Sequence, residues 1–152
     1  MSPEYIQKWI GYLNDVDRDM SRIACEKLAK TKDPKVVPEL SKALKNRPVE
    51  VRAAAARALG EIGHRSAVAA LVEALKDSDI MVSSAAADAL GEIGDSAAVP
   101  ALSKILHDYK TGLDRHKQIY GETRGLYMAA VYALQRIGTR EAKAAVQKYH
   151  TW

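Results

Sequence analysis

An internal repeat of 31 residues constrains this chain more than any other feature of its sequence. The segments Asn46–Lys76 and Asp77–His107 are identical at 15 of 31 positions, and Asp15–Lys45 keeps the same register. The helical pattern resumes at Leu126, after an insertion of 13 residues. In solenoids, repeats of this length bury their apolar faces against their neighbours. The period therefore favours a solenoid over an ordinary helix bundle, which needs no fixed period.

Each row of the repeat predicts two helices, which we call its first and second helix throughout. In the first helix, an aliphatic residue, an alanine and a leucine recur at i, i+4 and i+8, and a glycine follows the last turn. In the second helix, a valine and two leucines recur at i, i+3 and i+7. In the row from Asn46, the two apolar sets are Val51, Ala55 and Leu59, and then Val68, Leu71 and Leu75.

These patterns predict an all-α fold, a right-handed α-solenoid with one N-terminal cap helix and four antiparallel helix pairs. Asp33 before a proline predicts the N-cap of a second helix, and Gly63, Gly94 and Gly138 are expected to close first helices. The whole chain then forms a single domain. Its predicted parts are the cap helix 1–14, the repeats 15–45, 46–76 and 77–107, the insertion loop 108–125 and the C-terminal repeat 126–152.

The register of the last helix stays open at the sequence level. In the register of the repeat columns, Lys143, Val146 and His150 face the stack. The apolar stripe of the last helix is then less hydrophobic than in earlier rows, as the polar outer face of a terminal repeat requires. A shifted register that turns Ala142, Ala145 and Tyr149 inward fits the pattern equally well.

Length and composition place the chain among compact globular proteins. A chain of 152 residues can bury a core without disulfide bonds, and Cys25 is the only cysteine. No apolar run approaches the roughly 20 residues that span a bilayer, and the N-terminus lacks the basic and apolar regions of a signal peptide. We expect a soluble, cytoplasmic protein. Cys25 falls in an alanine column and is expected to be buried as a small apolar residue.

Two rows carry a more specific pattern. VRAAAARALGEIG from Val51 precedes AVAALVEAL, and VSSAAADALGEIG from Val82 precedes AVPALSKIL. The pattern resembles the HEAT-like repeats of the phycobilisome lyase (E-Z type) family, and the resemblance covers nearly the whole chain. It implies a HEAT-like superhelix. That family includes interaction scaffolds, chromophore lyase subunits, a di-iron hydroxylase and DNA-binding relatives. The resemblance therefore does not indicate one function over the others.

No catalytic or metal-binding set can be assembled from the sequence. In the HEAT-like deoxyhypusine hydroxylase, the resemblance implies a His-Glu pair on the first helix, but the matching positions here hold residues such as Ala53 and Ala54. The four histidines have no partner at helical spacing. The GEIG segments from Gly60 and Gly91 end helices, whereas phosphate-binding glycines open them. We predict no catalytic residue, no metal and no cofactor.

The outward face of the second helices is the first candidate surface for binding a partner. The resemblance implies that this face lines the concave side of the superhelix. It is mixed in charge and mildly basic, with Val72 expected to be exposed near its centre. The alternative interpretation is an ordinary solvated face. The candidate residues are Lys42, Lys45, Val72, Glu73, Lys76, Lys104 and His107.

The insertion is the second candidate surface, because long loops on rigid scaffolds often carry function. It interleaves aromatic with basic residues, and the next helix places Tyr127 and Tyr132 where exposed residues such as Arg52 and Arg57 are expected. Either the insertion covers these tyrosines and closes the stack, or loop and tyrosines form part of a binding surface. The candidate residues of the insertion are Tyr109, Arg115, His116, Tyr120 and Arg124.

The leading hypothesis is a non-catalytic scaffold or adaptor that binds a partner protein through the concave face and the insertion loop. An acidic protein is one candidate partner. A phycobilin lyase-like subunit or a chromophore-handling chaperone is the alternative that the resemblance implies. Nucleic-acid binding is a further alternative, but a net charge of +4 is modest beside what neutralising a phosphate backbone requires. No membrane partner is expected, and the oligomeric state stays open.

Overall fold

The computed structural model describes residues 1–46, 48–114 and 124–150. These residues form nine α-helices and no β-strand, which confirms the predicted all-α solenoid. The even-numbered helices are the first helices of the rows, and the odd-numbered helices are the second helices. The helices are α1 (Pro3–Tyr12), α2 (Arg18–Ala29), α3 (Val37–Ala43), α4 (Val49–Ile62), α5 (Val68–Ala74), α6 (Ile80–Ile93), α7 (Val99–Thr111), α8 (Arg124–Ile137) and α9 (Arg140–Tyr149).

Capping residues set the helix ends where the sequence predicts them. The Oδ1 atom of Asp33 accepts a hydrogen bond from the backbone N–H of Lys35 at 2.9 Å, at the start of the turn that leads into α3. Gly63 and Gly94 end α4 and α6 with φ values of 74° and 75°. This left-handed conformation favours glycine, because a Cβ atom would be strained there.

The first-helix layer (α2, α4, α6 and α8) is closely packed, and each helix contacts the next one along the stack. An ideal Cβ on Gly60 would lie 2.7 Å from the Cα of Ala89, and one on Gly91 would lie 2.8 Å from the Cα of Ala133. Both glycines therefore lie inside helices, at points where two backbones approach too closely for a side chain. Their role is close packing, while the actual helix ends are the glycines three residues later.

The second-helix layer (α1, α3, α5, α7 and α9) is more open. Each of the first four packs on the first helix that follows it, so that α1 lies on α2, α3 on α4, α5 on α6 and α7 on α8. The helices α3, α5 and α7 hardly contact one another, and clefts separate them. The last described helix, α9, differs because it packs on both α7 and α8. The layer is thus open in the middle and closed at its C-terminal end.

One column of the repeat is largely buried where the sequence predicts exposure. Ser21, Arg52 and Ser83 occupy equivalent positions, and each donates a hydrogen bond to the backbone carbonyl six residues earlier, at 3.2, 2.9 and 3.0 Å. Arg52 also donates through Nε and Nη2 to both carboxylate oxygens of Asp77, at 2.8 and 3.1 Å. The expectation of an exposed Arg52 is wrong, because this column holds the turns between rows in place.

Tyr127 is likewise buried, with 5% of its surface exposed, and the predicted exposure of this residue is wrong. The ring of Tyr109 stacks on it with centroids 4.4 Å apart. The Oη atom of Tyr127 donates to the carbonyl of Tyr149 at 3.0 Å and lies 2.8 Å from Nδ1 of His150. Described residues of α7 and of the end of α9 therefore cover Tyr127. Tyr132 is exposed, as predicted.

The last helix adopts the shifted register. Ala142 is fully buried, whereas Lys143 is exposed. Ala145, Val146 and Tyr149 pack against the core. The shift follows from the position of α9, which must face α7 and α8 at once.

Cys25 is fully buried, as the sequence predicts, and burial raises the pKa of its thiol to about 12. Only the thiolate reacts with disulfide reagents, so we expect no modification of native protein by an aromatic disulfide reagent at mildly alkaline pH. Addition of guanidinium chloride should release one equivalent of reactive thiol, read by absorbance. Rapid stoichiometric reaction of the folded protein would contradict this burial.

Candidate functional site

Six of the seven second-helix residues that the sequence singles out line two adjacent clefts. The α3–α5 cleft has a volume of about 790 Å³, and the α5–α7 cleft has a volume of about 350 Å³. Lys76 lines both clefts, so they form one continuous surface, which we call the second-helix face. The α3–α5 cleft includes Lys42, Lys45 and Glu73, and the α5–α7 cleft includes Val72 and Lys104.

Carboxylates on the same helices moderate the positive charge of this face. Because each of these carboxylates lies one turn from its lysine, the local charge is close to balanced. The pairs are Lys42 with Glu39 at 3.0 Å, Lys76 with Glu73 at 3.6 Å, and Lys104 with Asp108.

In two of these pairs, the lysine side chain is much more exposed than its carboxylate partner. The side chain of Lys104 is 72% exposed, whereas that of Asp108 is 23% exposed. Glu39 is likewise less exposed than Lys42. In these two pairs, the ammonium group faces solvent and the carboxylate is recessed. In the third pair, Lys76 and Glu73 are equally exposed. The face therefore presents an excess of positive charge at Lys42 and Lys104, although its formal charges nearly cancel.

The floor of the α5–α7 cleft is apolar, and sequence reasoning missed most of it. Val72 is half-buried in this floor, so the expectation of an exposed valine is wrong. Ile105 stands where earlier rows carry Ala43 and Ala74, and this break in the repeat was the signal for an altered surface. Leu113, at the start of the insertion, is 63% exposed at the mouth of the cleft. The other apolar residues of the lining are Leu75, Ala101 and Leu126.

The remaining candidates do not join these clefts. The rings of His107 and Tyr149 meet edge to face, 5.7 Å apart, and Tyr109 is stacked on Tyr127. His107 and Tyr109 therefore belong to an aromatic cluster at the C-terminal end of the stack. Arg124 is the exposed first residue of α8. The predicted Arg115, His116 and Tyr120 lie outside the described residues.

Both ends of the predicted insertion loop 108–125 are helical. Helix α7 continues through Thr111, so residues 108–111 are helical, and α8 already begins at Arg124. Leu113 and Asp114 then lie against the α5–α7 cleft, where Asp114 is buried. The start of the insertion thus forms one wall of the cleft.

The two layers differ in how closely their helices are spaced. First helices approach to within backbone contact, whereas clefts separate the second helices. The second helices are thus more widely spaced than the first helices. The expectation that the second-helix face lines the concave side stays a prediction.

The opposite, first-helix face carries a cleft of about 400 Å³, lined in part by Arg57, Met81 and Asp88. Burial raises the pKa of Asp88, and the positive charges of Arg136 and Arg57 oppose this rise. Arg57 is exposed on this face, as predicted. The small side chains that line the rest of this cleft, such as Ser84 and Ala85, offer little apolar surface to a partner.

The described residues contain neither a metal-binding group nor a membrane-spanning helix. Within 1–46, 48–114 and 124–150, no three residues of the types His, Cys, Asp and Glu form a group that could hold a metal ion. No helix in this part of the chain combines the length and the apolar character that a bilayer crossing needs.

Comparison with known proteins gives both family and structural matches. The family model for HEAT repeats matches residues 6–60 and 42–117. No match was found among curated proteins. A chain of the complex of CpcE and CpcF of phycocyanin lyase from Nostoc sp. PCC7120 is 29% identical, with a TM-score of 0.78 over 96% of this chain and 59% of that chain. The present chain thus spans about three fifths of the Nostoc chain.

Two further solved structures are similar. An engineered protein is 26% identical, with a TM-score of 0.62 over 95% of this chain and 67% of that chain. Human deoxyhypusine hydroxylase in complex with glycerol is 18% identical, with a TM-score of 0.62 and the same coverage of 95% and 67%. At this lower identity, the likeness to the hydroxylase shows the fold alone.

Proposed function

The chain belongs to the HEAT repeat family, and from this premise we propose that it is a non-catalytic interaction scaffold that binds a partner protein through its second-helix face. The observation that carries the proposal is the continuous surface of the α3–α5 and α5–α7 clefts. Residues from three successive rows line it, together with the start of the insertion. Such an open surface on a rigid stack is the usual means by which solenoids bind other proteins.

A lyase-like role is the second candidate, because a 29% identical chain forms part of the CpcE and CpcF complex of phycocyanin lyase. The likeness to that subunit supports a protein-interaction role or a lyase-like role. The two are distinguished by incubation of the protein with a free bilin, followed by absorbance spectroscopy. A scaffold leaves the bilin spectrum unchanged, whereas a chromophore-handling subunit shifts it.

Reversing three lysines of the second-helix face tests the proposal. We expect Lys42→Glu, Lys76→Glu and Lys104→Glu together to weaken capture of the native partner from an extract of the source cell. Association should also lose its sensitivity to salt, because rim charges mainly steer encounter. The free energy of unfolding should change by no more than about 0.5 kcal/mol per site, since all three side chains are exposed.

The matched control reverses three exposed lysines that line neither cleft, namely Lys30, Lys35 and Lys143. Arg52 is unsuitable as a control because its ion pair with Asp77 is largely buried. Capture that survives the cleft triple variant and is lost in the control would move the binding surface elsewhere on the molecule.

A further inference from the structure

We infer, resting on the proposed function, that the α5–α7 cleft receives an acidic amphipathic helix of the partner, with one large apolar side chain of that helix inserted between α5 and α7. The inference adds the chemistry of the occupant to the surface described above. It follows from the shape of the cleft, from its lining and from the charges at its rim.

The apolar residues that line the α5–α7 cleft favour an apolar side chain of the partner as the anchor. The cleft volume of about 350 Å³ lies at the lower end of the range of about 300–1,000 Å³ found for small-molecule pockets, so it has room for one large side chain. Val72 and Ile105 are only partly covered by the fold, and Leu113 is exposed at the mouth. A leucine, phenylalanine or tryptophan in the cleft would cover all three. Such centrally placed apolar anchors carry most of the affinity in protein interfaces.

The charges at the rim of the cleft favour acidic residues next to the anchoring side chain of the partner helix. The exposed ammonium groups of Lys76 and Lys104 stand at the mouth, while Asp108 is recessed and Asp114 is buried. Glu73 beside Lys76 is the one equally exposed carboxylate in these ion pairs, so the exposed charges at the mouth still sum to a positive value. Aspartate or glutamate residues one turn away from the anchor would meet these ammonium groups. A segment with lysines in those positions would instead meet like charge, which costs affinity and slows encounter.

A helix fits the geometry of the cleft. Helices α5 and α7 run in the same direction because they are equivalent helices of successive rows, and the groove between them follows their axes. Amphipathic helices bind in such grooves through apolar residues one or two turns apart. Within the chain, α9 likewise packs on α7, where the ring of Tyr149 meets that of His107.

The neighbouring α3–α5 cleft does not offer the same anchor site. It is larger, but small and polar side chains such as Ser41, Ala69 and Ala70 line much of it. Its position equivalent to Ile105 is Ala74. Nothing in that cleft corresponds to Leu113, because the insertion follows the third row alone. An anchoring side chain therefore makes more apolar contacts in the α5–α7 cleft than in the α3–α5 cleft.

Selection from a display library tests the inference without a known partner. The library consists of helical peptides randomised along one face, and the bait is the full chain. We expect enrichment of peptides with one large apolar residue flanked by Asp or Glu one turn away. Binding of a labelled selected peptide is then measured by fluorescence anisotropy for the wild-type chain and four variants.

Leu113→Ser should weaken binding about tenfold, because an apolar contact at the mouth is lost. Lys104→Glu should weaken it at least threefold and remove most of its salt dependence. The matched controls are Met81→Ser, an exposed apolar residue of the first-helix face, and Lys143→Glu, an exposed lysine outside the clefts. Both controls should bind as the wild type does. Leu113 and Lys104 are exposed, so their variants are expected to fold normally.

The two ways of failing are separable. Enrichment of basic peptides, no enrichment, or binding that is insensitive to Leu113→Ser would overturn the acidic-helix inference. The scaffold proposal would survive that result if the lysine-reversal variant still lost the native partner. Conversely, selected acidic peptides that bind through Leu113 would uphold the inference, while a failure to recover any partner through the second-helix face would count against the scaffold function.

Discussion

Replacement of Tyr127 by alanine is expected to lower the free energy of unfolding by about 3–5 kcal/mol, the cost of removing a buried aromatic side chain. Tyr127 is 5% exposed and connects three helices. Its ring lies against Tyr109 of α7, and its hydroxyl bonds the carbonyl of Tyr149 at the end of α9. The loss should therefore loosen the C-terminal end of the stack. Urea unfolding followed by circular dichroism measures the change.

Two tyrosine variants serve as controls for this result. Tyr127→Phe keeps the stacked ring and removes only the hydroxyl, so it should cost about 1 kcal/mol. Tyr132→Ala removes a tyrosine of the same helix that is 54% exposed, and its effect should stay within about 0.5 kcal/mol. If Tyr127→Ala were no more harmful than Tyr132→Ala, the described packing of α7, α8 and α9 would be wrong.

Replacement of Gly91 by alanine is expected to destabilise the protein by about 1–3 kcal/mol, although alanine is the better helix former. The added Cβ would lie 2.8 Å from the Cα of Ala133 and 3.1 Å from its Cβ. The neighbouring atoms belong to the backbone and to a methyl group, which have no flexible end to move aside. Relief thus requires α6 and α8 to separate. Thermal and urea unfolding of the variant measure the cost.

Gly11 provides the matched control because it lies inside α1, where an added Cβ would have no neighbouring atom within 4 Å. Gly11→Ala should stabilise the protein by about 0.5–1 kcal/mol, since only the helix propensity changes. The same substitution is therefore expected to have opposite signs at the two positions. Equal effects at Gly11 and Gly91 would show that the first helices are not in backbone contact.

Much of the fold could be predicted from the sequence, because each row of the repeat independently predicts the same pair of helices. The spacing of Val51, Ala55 and Leu59 identifies the buried stripe of a helix, and its recurrence in each row predicts the stack. Gly63 ends its helix in the left-handed conformation that the pattern predicts. These features depend on residues close together in the chain. Local periodicity and capping chemistry are enough to specify them.

The candidate site was only partly predictable for the same reason. The lysines of the second-helix face could be placed by helical period alone, and the structure brings Lys42, Lys76 and Lys104 to one surface. The period could not show that Lys104 has Asp108 beside it with the carboxylate recessed. It also could not reveal the apolar floor around Ile105, because that floor exists only where two second helices stand apart.

The all-α solenoid and the burial of Cys25 could be predicted from the sequence, because each depends on a pattern that repeats along the chain. The burial of Arg52 and Tyr127 and the register of α9 became visible only in the folded structure. Those properties depend on contacts between residues that are distant in sequence and on how side chains of different size pack between the two helix layers. Glycine and alanine allow the first helices to pack closely, whereas clefts separate the second helices.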